Sequence, residues 1–200
     1  MTLIALGPLT NVAALLAASP GVAARLGRIV MMGGGARVLG NMTPTAEFNV
    51  WYDPEAASRV LASGVPVTMV GLDVTRRART VPADWAGLHG GGPVARAVLG
   101  MVEFYTGFYR ATSGTEAIAQ HDALAVAAVM RPGLVTTRRL HVDVECAGSL
   151  TRGMTVVDLD GVGAGDPRTE VALEVDEQAF AAFLVERVVG LDARTRAGEG

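Results

Sequence analysis

The sequence contains no lysine, so all seventeen of its basic residues are arginine, a bias of composition that carries no functional signal by itself. Against twenty acidic residues these leave a formal net charge of −3, which supplies no electrostatic footprint for nucleic acid. Cys146 is the only cysteine, so an intrachain disulfide is excluded, and neither a thiolate metal cluster nor an oxidising compartment is indicated. Long apolar runs are also missing. The longest candidate, Leu3 to Ala18, lacks a basic lead-in and is interrupted by Gly7-Pro8 and Asn11, so it fits neither a signal peptide nor a membrane span. A cytoplasmic protein with no nucleic-acid or membrane partner is therefore expected.

What is present is apolar and periodic. Of the 200 residues 50% are hydrophobic and 18% charged, enough to bury one substantial core. A single domain over residues 1–192 is expected, with 193–200 as a disordered tail. Leu3-Ile4-Ala5-Leu6, Arg28 to Met32 and Val65 to Val70 read as buried strands, and helical segments lie between them. Thr10 reads as the cap of a first helix through Ala18, and Asp53-Pro54-Glu55 gives the second an N-cap, a proline in its first turn and an early carboxylate. Val94 to Ala111 and Asp122 to Met130 show helical spacing. From Val135 the pattern changes to strand-like alternation in 141–146, 154–157 and 171–175, before an amphipathic helix from Asp176 to Val189. This grammar predicts an α/β fold: an open, mostly parallel sheet with flanking helices, plus C-terminal antiparallel strands.

The stretch from Met31 to Ala57 concentrates chemistry. A strand ends at Gly33-Gly34-Gly35, and Asn41, Glu47 and Asn49 follow on a loop, the place where α/β proteins bind small molecules. The glycines match no phosphate loop: Val38 stands where a dinucleotide fingerprint needs glycine, and no Gly-Lys-Ser/Thr follows. Asp158-Leu159-Asp160-Gly161 lacks the third early ligand and terminal glutamate of a calcium loop, so it reads as a solvated hairpin turn. Arg76, Arg77 and Arg79 read as a solvated basic loop. His121-Asp122 opens a helix, where a lone aspartate is ordinarily a cap.

Taken in order, Leu6-Gly7-Pro8-Leu9-Thr10-Asn11, Met32-Gly33-Gly34, Gly40-Asn41, Ala46-Glu47-Phe48-Asn49, Asp53-Pro54-Glu55-Ala56, Gly71-Leu72-Asp73-Val74-Thr75, His121-Asp122 and 150–158 resemble the inosine-uridine preferring nucleoside hydrolases. The resemblance implies hydrolysis of the N-glycosidic bond of purine or pyrimidine ribonucleosides to ribose and free base, with a bound calcium ion. It implies that the Leu6 backbone carbonyl and Asp122 ligate that ion, that Met32, Asn41, Glu47, Phe48 and Asn49 form the ribose side, that Tyr105 and Tyr109 lie on the base side, and that His121 helps protonate the departing base. It also implies a homo-oligomer, a dimer or tetramer. An amide or carboxylate suits a polyol because its groups pair with hydroxyls, and imidazole suits proton transfer near neutral pH.

The family's N-terminal aspartate cluster, which supplies the general base and most acidic calcium ligands, has no counterpart among these motifs. The expectation is therefore a nucleoside hydrolase fold truncated at its N-terminus, with hydrolysis impaired. Its alternatives are an inactive nucleoside-binding relic or a structural, oligomerisation fragment.

Overall fold

The computed structural model describes residues 1–163 and 165–198. Its centre is a five-stranded sheet ordered β1 (Thr2–Ala5), β2 (Arg28–Met32), β3 (Val67–Val70), β9 (Thr169–Val175), β6 (Val135–Leu140). The first four strands run parallel and β6 pairs antiparallel with β9. Ile29 and Met31 of β2 enter one core layer while Val30 and Met32 enter the other, as strand periodicity requires of a strand covered on both faces. On one face Ile29, Met31, Val67, Met69 and Val171 pack with Val60 of α4 (Pro54–Leu61). On the other, Val30, Val70 and Ala172 pack against Leu72 of α5 (Leu72–Thr75), Leu124 of α7 (His121–Met130) and Phe180 of α8 (Glu177–Arg196).

Helix starts follow the sequence signals. Asp53 accepts from the Ala56 N–H at 3.0 Å, capping α4 behind Pro54, and also accepts from the Thr10 hydroxyl at 2.5 Å. Thr10 itself is the first residue of α1 (Thr10–Ala18), whose N-cap is Leu9. Glu47 caps the short α3 (Phe48–Tyr52) through the Val50 N–H at 3.1 Å. The longest helix, α6 (Pro93–Ser113), is capped from a distance: Asp192 of α8 accepts from Gly92 N at 2.8 Å and Ala95 N at 3.0 Å.

Several expectations are corrected. Strand β1 lies at the sheet edge and none of its residues is fully buried, because only β2 pairs with it. The C-terminal strands are not an appendage: β9 is the fourth strand of the main sheet, β6 joins it, and only β7 (Val142–Val144) and β8 (Thr155–Val157) form a separate hairpin. Helix α8 runs to Arg196, so residues 193–196 of the expected tail are helical, while 199–200 lie outside the described residues.

Two further strands are short but matter for the site. β4 (Arg79–Thr80) and β5 (Ile118–Ala119) pair antiparallel, joining the segment after α5 to the start of α7. Among the described residues no helix is long and apolar enough to cross a membrane.

Candidate active site

Because β1, β2 and β3 are parallel and in register, their carboxyl ends open on one edge of the sheet, and Leu6, the Gly33 loop and Gly71 follow there. The glycine loop is clamped in place. Gly34, in the left-handed region at φ 73°, donates its N–H to Glu47 Oε2 at 3.0 Å, and a Cβ there would meet Thr155 at 2.8 Å. The Leu72 N–H bonds to the Gly34 carbonyl at 2.8 Å, and Thr155 Oγ1 accepts from Gly35 N at 2.9 Å. Asp73 accepts from Ala36 N at 2.7 Å and Arg37 N at 2.8 Å. The loop is therefore preorganised before any ligand arrives.

On this frame, Met32, Glu47 and Asn49 are buried while Asn41 and Phe48 are exposed. The Asn49 amide donates to the Met32 carbonyl at 3.0 Å and reaches the Leu6 carbonyl at 3.4 Å. Asn41 Oδ1 accepts from Phe48 N at 2.9 Å, tying the far end of the loop to α3. Glu47 is 4% exposed, and burial pushes its carboxyl above the ordinary range against the lowering pull of the Asn49, Gly34 and Val50 N–H groups; the charge of Asp122 adds to the rise.

The second wall is a cavity of about 470 Å³ lined by Trp85, Tyr105, Tyr109, Gln120, His121 and Asp122, among others. The β4–β5 pair sets its polar rim: Gln120 N bonds to the Ala78 carbonyl at 2.8 Å, and the Gln120 amide donates to Thr80 Oγ1 at 2.8 Å. His121 then begins α7, with Nδ1 2.8 Å from the Thr75 hydroxyl. Burial lowers the His121 imidazole below its ordinary value; Asp122 works against this and Arg76 reinforces it. Partial desolvation raises Asp122, opposed by His121. Trp85 is 3% exposed, and its indole N–H is buried without a hydrogen-bond partner among the described residues.

The structure thus gathers His121, Asp122, Tyr105 and Tyr109 in one cavity and joins Asn49 to Met32 and Leu6 by hydrogen bonds, with Glu47 held separately by Gly34 and Val50. Sequence reasoning passed over Thr75, Gln120, Trp85 and Thr155, whose roles exist only through distant partners. Arg76 is corrected from solvated loop to structural contact: it is half-buried and donates to the Gly40 carbonyl at 2.6 Å. Asp158 accepts from Val162 N at 3.0 Å and Gly163 N at 2.9 Å, as a turn aspartate does.

The donors suited to a hard cation are the Leu6 carbonyl and Asp122, whereas calcium takes about six to eight oxygens. No group of three or more ligating side chains occurs among the described residues. These two donors are of the right kind for calcium and too few for its shell, so the ion's implied site is not reproduced by these residues.

A parallel α/β sheet whose strand ends carry a clamped polar loop, in a chain that also holds a histidine-lined cavity, is the arrangement of α/β proteins that bind small molecules. The chain belongs to the inosine-uridine preferring nucleoside hydrolase family, whose model matches residues 1–182. It is 43% identical over 190 residues to the pyrimidine-specific ribonucleoside hydrolase RihA of Klebsiella pneumoniae, covering 94% of this chain and 61% of that protein. The RihA of an Enterobacter species is 41% identical over 196 residues, covering 97% and 62%. Among solved structures, a purine-preferring ribonucleoside hydrolase from Gardnerella vaginalis superposes with a TM-score of 0.87 at 33% identity, over 96% of this chain and 61% of that one. A plant nucleoside hydrolase superposes at 0.86 and 31% identity, over 94% and 61%.

The expectation of an N-terminally truncated fold is corrected by the family match, which takes in residues 1–182 and with them every strand of the five-stranded sheet. The expectation of impaired hydrolysis, with its alternatives of an inactive relic or a structural fragment, is likewise corrected to a likeness to nucleoside hydrolases over 94% or more of this chain. The chain spans 61% of the length of the Klebsiella relative.

Proposed function

We propose that the chain acts in hydrolysis of the N-glycosidic bond of ribonucleosides, giving ribose and free base, with a pyrimidine base favoured. The observation that carries this reading is the presence of two sets of groups in one α/β frame: Glu47 and the Asn49–Leu6 pair at the carboxyl ends of the strands, and a cavity that holds His121 and Asp122. A polyol needs fixed acceptors and donors, whereas a flat base needs a less polar slot with a proton source at its edge. The preference for pyrimidines rests on the name carried by relatives at 41–43% identity.

In this reading Glu47 and Asn49 orient the ribose hydroxyls. Glu47 Oε2 is held by the Gly34 and Val50 N–H groups, which fixes the carboxylate in place before a hydroxyl reaches it. Asn41 and Phe48 close the outer end, and Met32 packs beneath the sugar. Breaking the C1′–N bond leaves oxocarbenium character on the ribose and the bond's electron pair on the base; water bonds to C1′ through its oxygen and releases one proton to solvent, and the base takes up one proton in exchange. His121 donates to the base as that charge develops, with Tyr105 and Tyr109 shaping the slot. The resemblance implies calcium, but the chain offers fewer oxygens than calcium takes, so the roles assigned here are those of its own side chains. A homo-oligomer, dimer or tetramer, remains part of the proposal; exposed Met101, Phe104 and Phe108 on α6 support it, and light scattering measures it.

The test is base release from uridine, cytidine and inosine by the purified chain, followed by chromatography. Release from uridine, absent in the Glu47→Gln and His121→Ala double variant, supports the reading. Equal release by the double variant, or none by the wild type, sinks it.

A further inference from the structure

We propose that Thr75 is a positioning residue that fixes the tautomer of His121, donating its hydroxyl proton to Nδ1 so that the ring hydrogen resides on Nε2. Thr75 ends α5 and is fully buried, and its Oγ1 lies 2.8 Å from His121 Nδ1. Either atom can formally donate, so the direction must be argued. A buried hydroxyl has one proton to place, and leaving that donor unmade costs more than leaving a lone pair idle. The usual alternative acceptor on a helix is the carbonyl four residues back. Here that is Gly71, whose oxygen already receives the N–H groups of Val74 at 3.2 Å and Thr75 at 3.1 Å. Among the described residues Oγ1 has no hydrogen-bond partner besides Nδ1. The hydroxyl therefore donates to Nδ1, and the proton of the neutral ring is assigned to Nε2.

Nothing in the local sequence announces this pairing, since 46 residues separate its members. It is set by α5 packing beside α7, with Gln120 pinned to Ala78 and Thr80 immediately before the histidine. The consequence for catalysis rests on the proposed hydrolysis: Nε2–H becomes the donor offered to the leaving base. The tautomer itself does not depend on that reading.

The experiment uses the full chain labelled with nitrogen-15, and long-range proton–nitrogen correlation spectra at a pH where His121 is neutral. His121 signals are identified by their loss in His121→Gln. The expected wild-type pattern is a protonated, pyrrole-type Nε2 and an unprotonated, pyridine-type Nδ1. Thr75→Val, nearly isosteric, should give averaged signals from both tautomers, and Thr75→Ser should restore the wild-type pattern. In turnover, Thr75→Val should lower kcat on uridine by about tenfold with KM little changed. On an activated nitrophenyl riboside, which needs no acid, it should lose little. A wild-type His121 protonated on Nδ1, or a Thr75→Val spectrum identical to wild type, overturns the proposal. Absence of turnover in every variant would defeat the hydrolase reading while leaving the spectroscopic result intact.

Discussion

Glu47 is asked to do two opposed things, and its two simplest variants separate them. It is 4% exposed and holds both Gly34 N at 3.0 Å and Val50 N at 3.1 Å on one oxygen. Glu47→Ala orphans both buried donors, at about 1–3 kcal/mol each, and removes the cap of α3. Part of that loss is returned because a desolvated carboxylate is no longer buried. A net destabilisation of about 2–4 kcal/mol results, a fall in Tm of roughly 4–16 °C for a domain of this size. Glu47→Gln keeps an oxygen for both donors and removes the charge.

The sign follows from linkage. The folded carboxyl is raised above its ordinary value of 4.5, so the folded state binds more protons than the unfolded state between 4.5 and the raised value, and stability falls as pH rises through that window. Above that window the wild type bears the full cost of the buried charge, which Glu47→Gln avoids. Its Tm at pH 7 should therefore equal or exceed that of the wild type, while ribonucleoside turnover is lost. Thermal melts at pH 4.5 and pH 7, paired with base-release assays, measure this. If Glu47→Gln melts as low as Glu47→Ala, the hydrogen bonds are not what stabilises the loop and the reasoning fails.

His121→Ala should reduce turnover of uridine by about 10²–10⁴-fold while sparing an activated nitrophenyl riboside, since general-acid help matters only for a poor leaving group; equal losses on both substrates would remove its assigned role. Phe180 has no exposed surface and sits where α8 meets the sheet, so Phe180→Ala should cost about 3–5 kcal/mol in denaturant unfolding, and a value under 1 would contradict the packing. Asp192 is held below the ordinary carboxylate range chiefly by the Gly92 and Ala95 N–H groups. Its stabilisation is complete above the ordinary value of 3.8 and disappears as pH falls through the depressed folded value. Asp192→Asn should accordingly flatten the acid limb of the stability profile, as read by circular dichroism, and an unchanged limb would show that this cap is not proton-linked.

The central strands and helix starts were legible because their causes are local. The apolar runs 28–32 and 65–70 and the Asp53-Pro54 start act within a few residues, and β2, β3 and α4 lie where those signals put them. Strand β6 was harder: Val135-Thr136-Thr137-Arg138-Arg139-Leu140 carries too many polar residues to announce itself, and its pairing with β9 is what makes it a strand. Helix α8 outran its expected end because Asp192 is drawn inward by the α6 N-terminus, a partner about a hundred residues away.

The site divides in the same way. Residue types and order alone marked Asn41, Glu47, Asn49 and the His121-Asp122 pair as candidates, since their clustering beside strand ends and their family likeness are properties of the chain as written. Only the tertiary structure decided what each one touches: Glu47 is at once a helix cap and a loop clamp, Arg76 binds the Gly40 carbonyl, and Thr75 faces His121. Local periodicity fixes which residues turn inward. Strand register and helix packing fix which inward-facing residues meet, and contacts across 46 residues leave no mark on the local sequence.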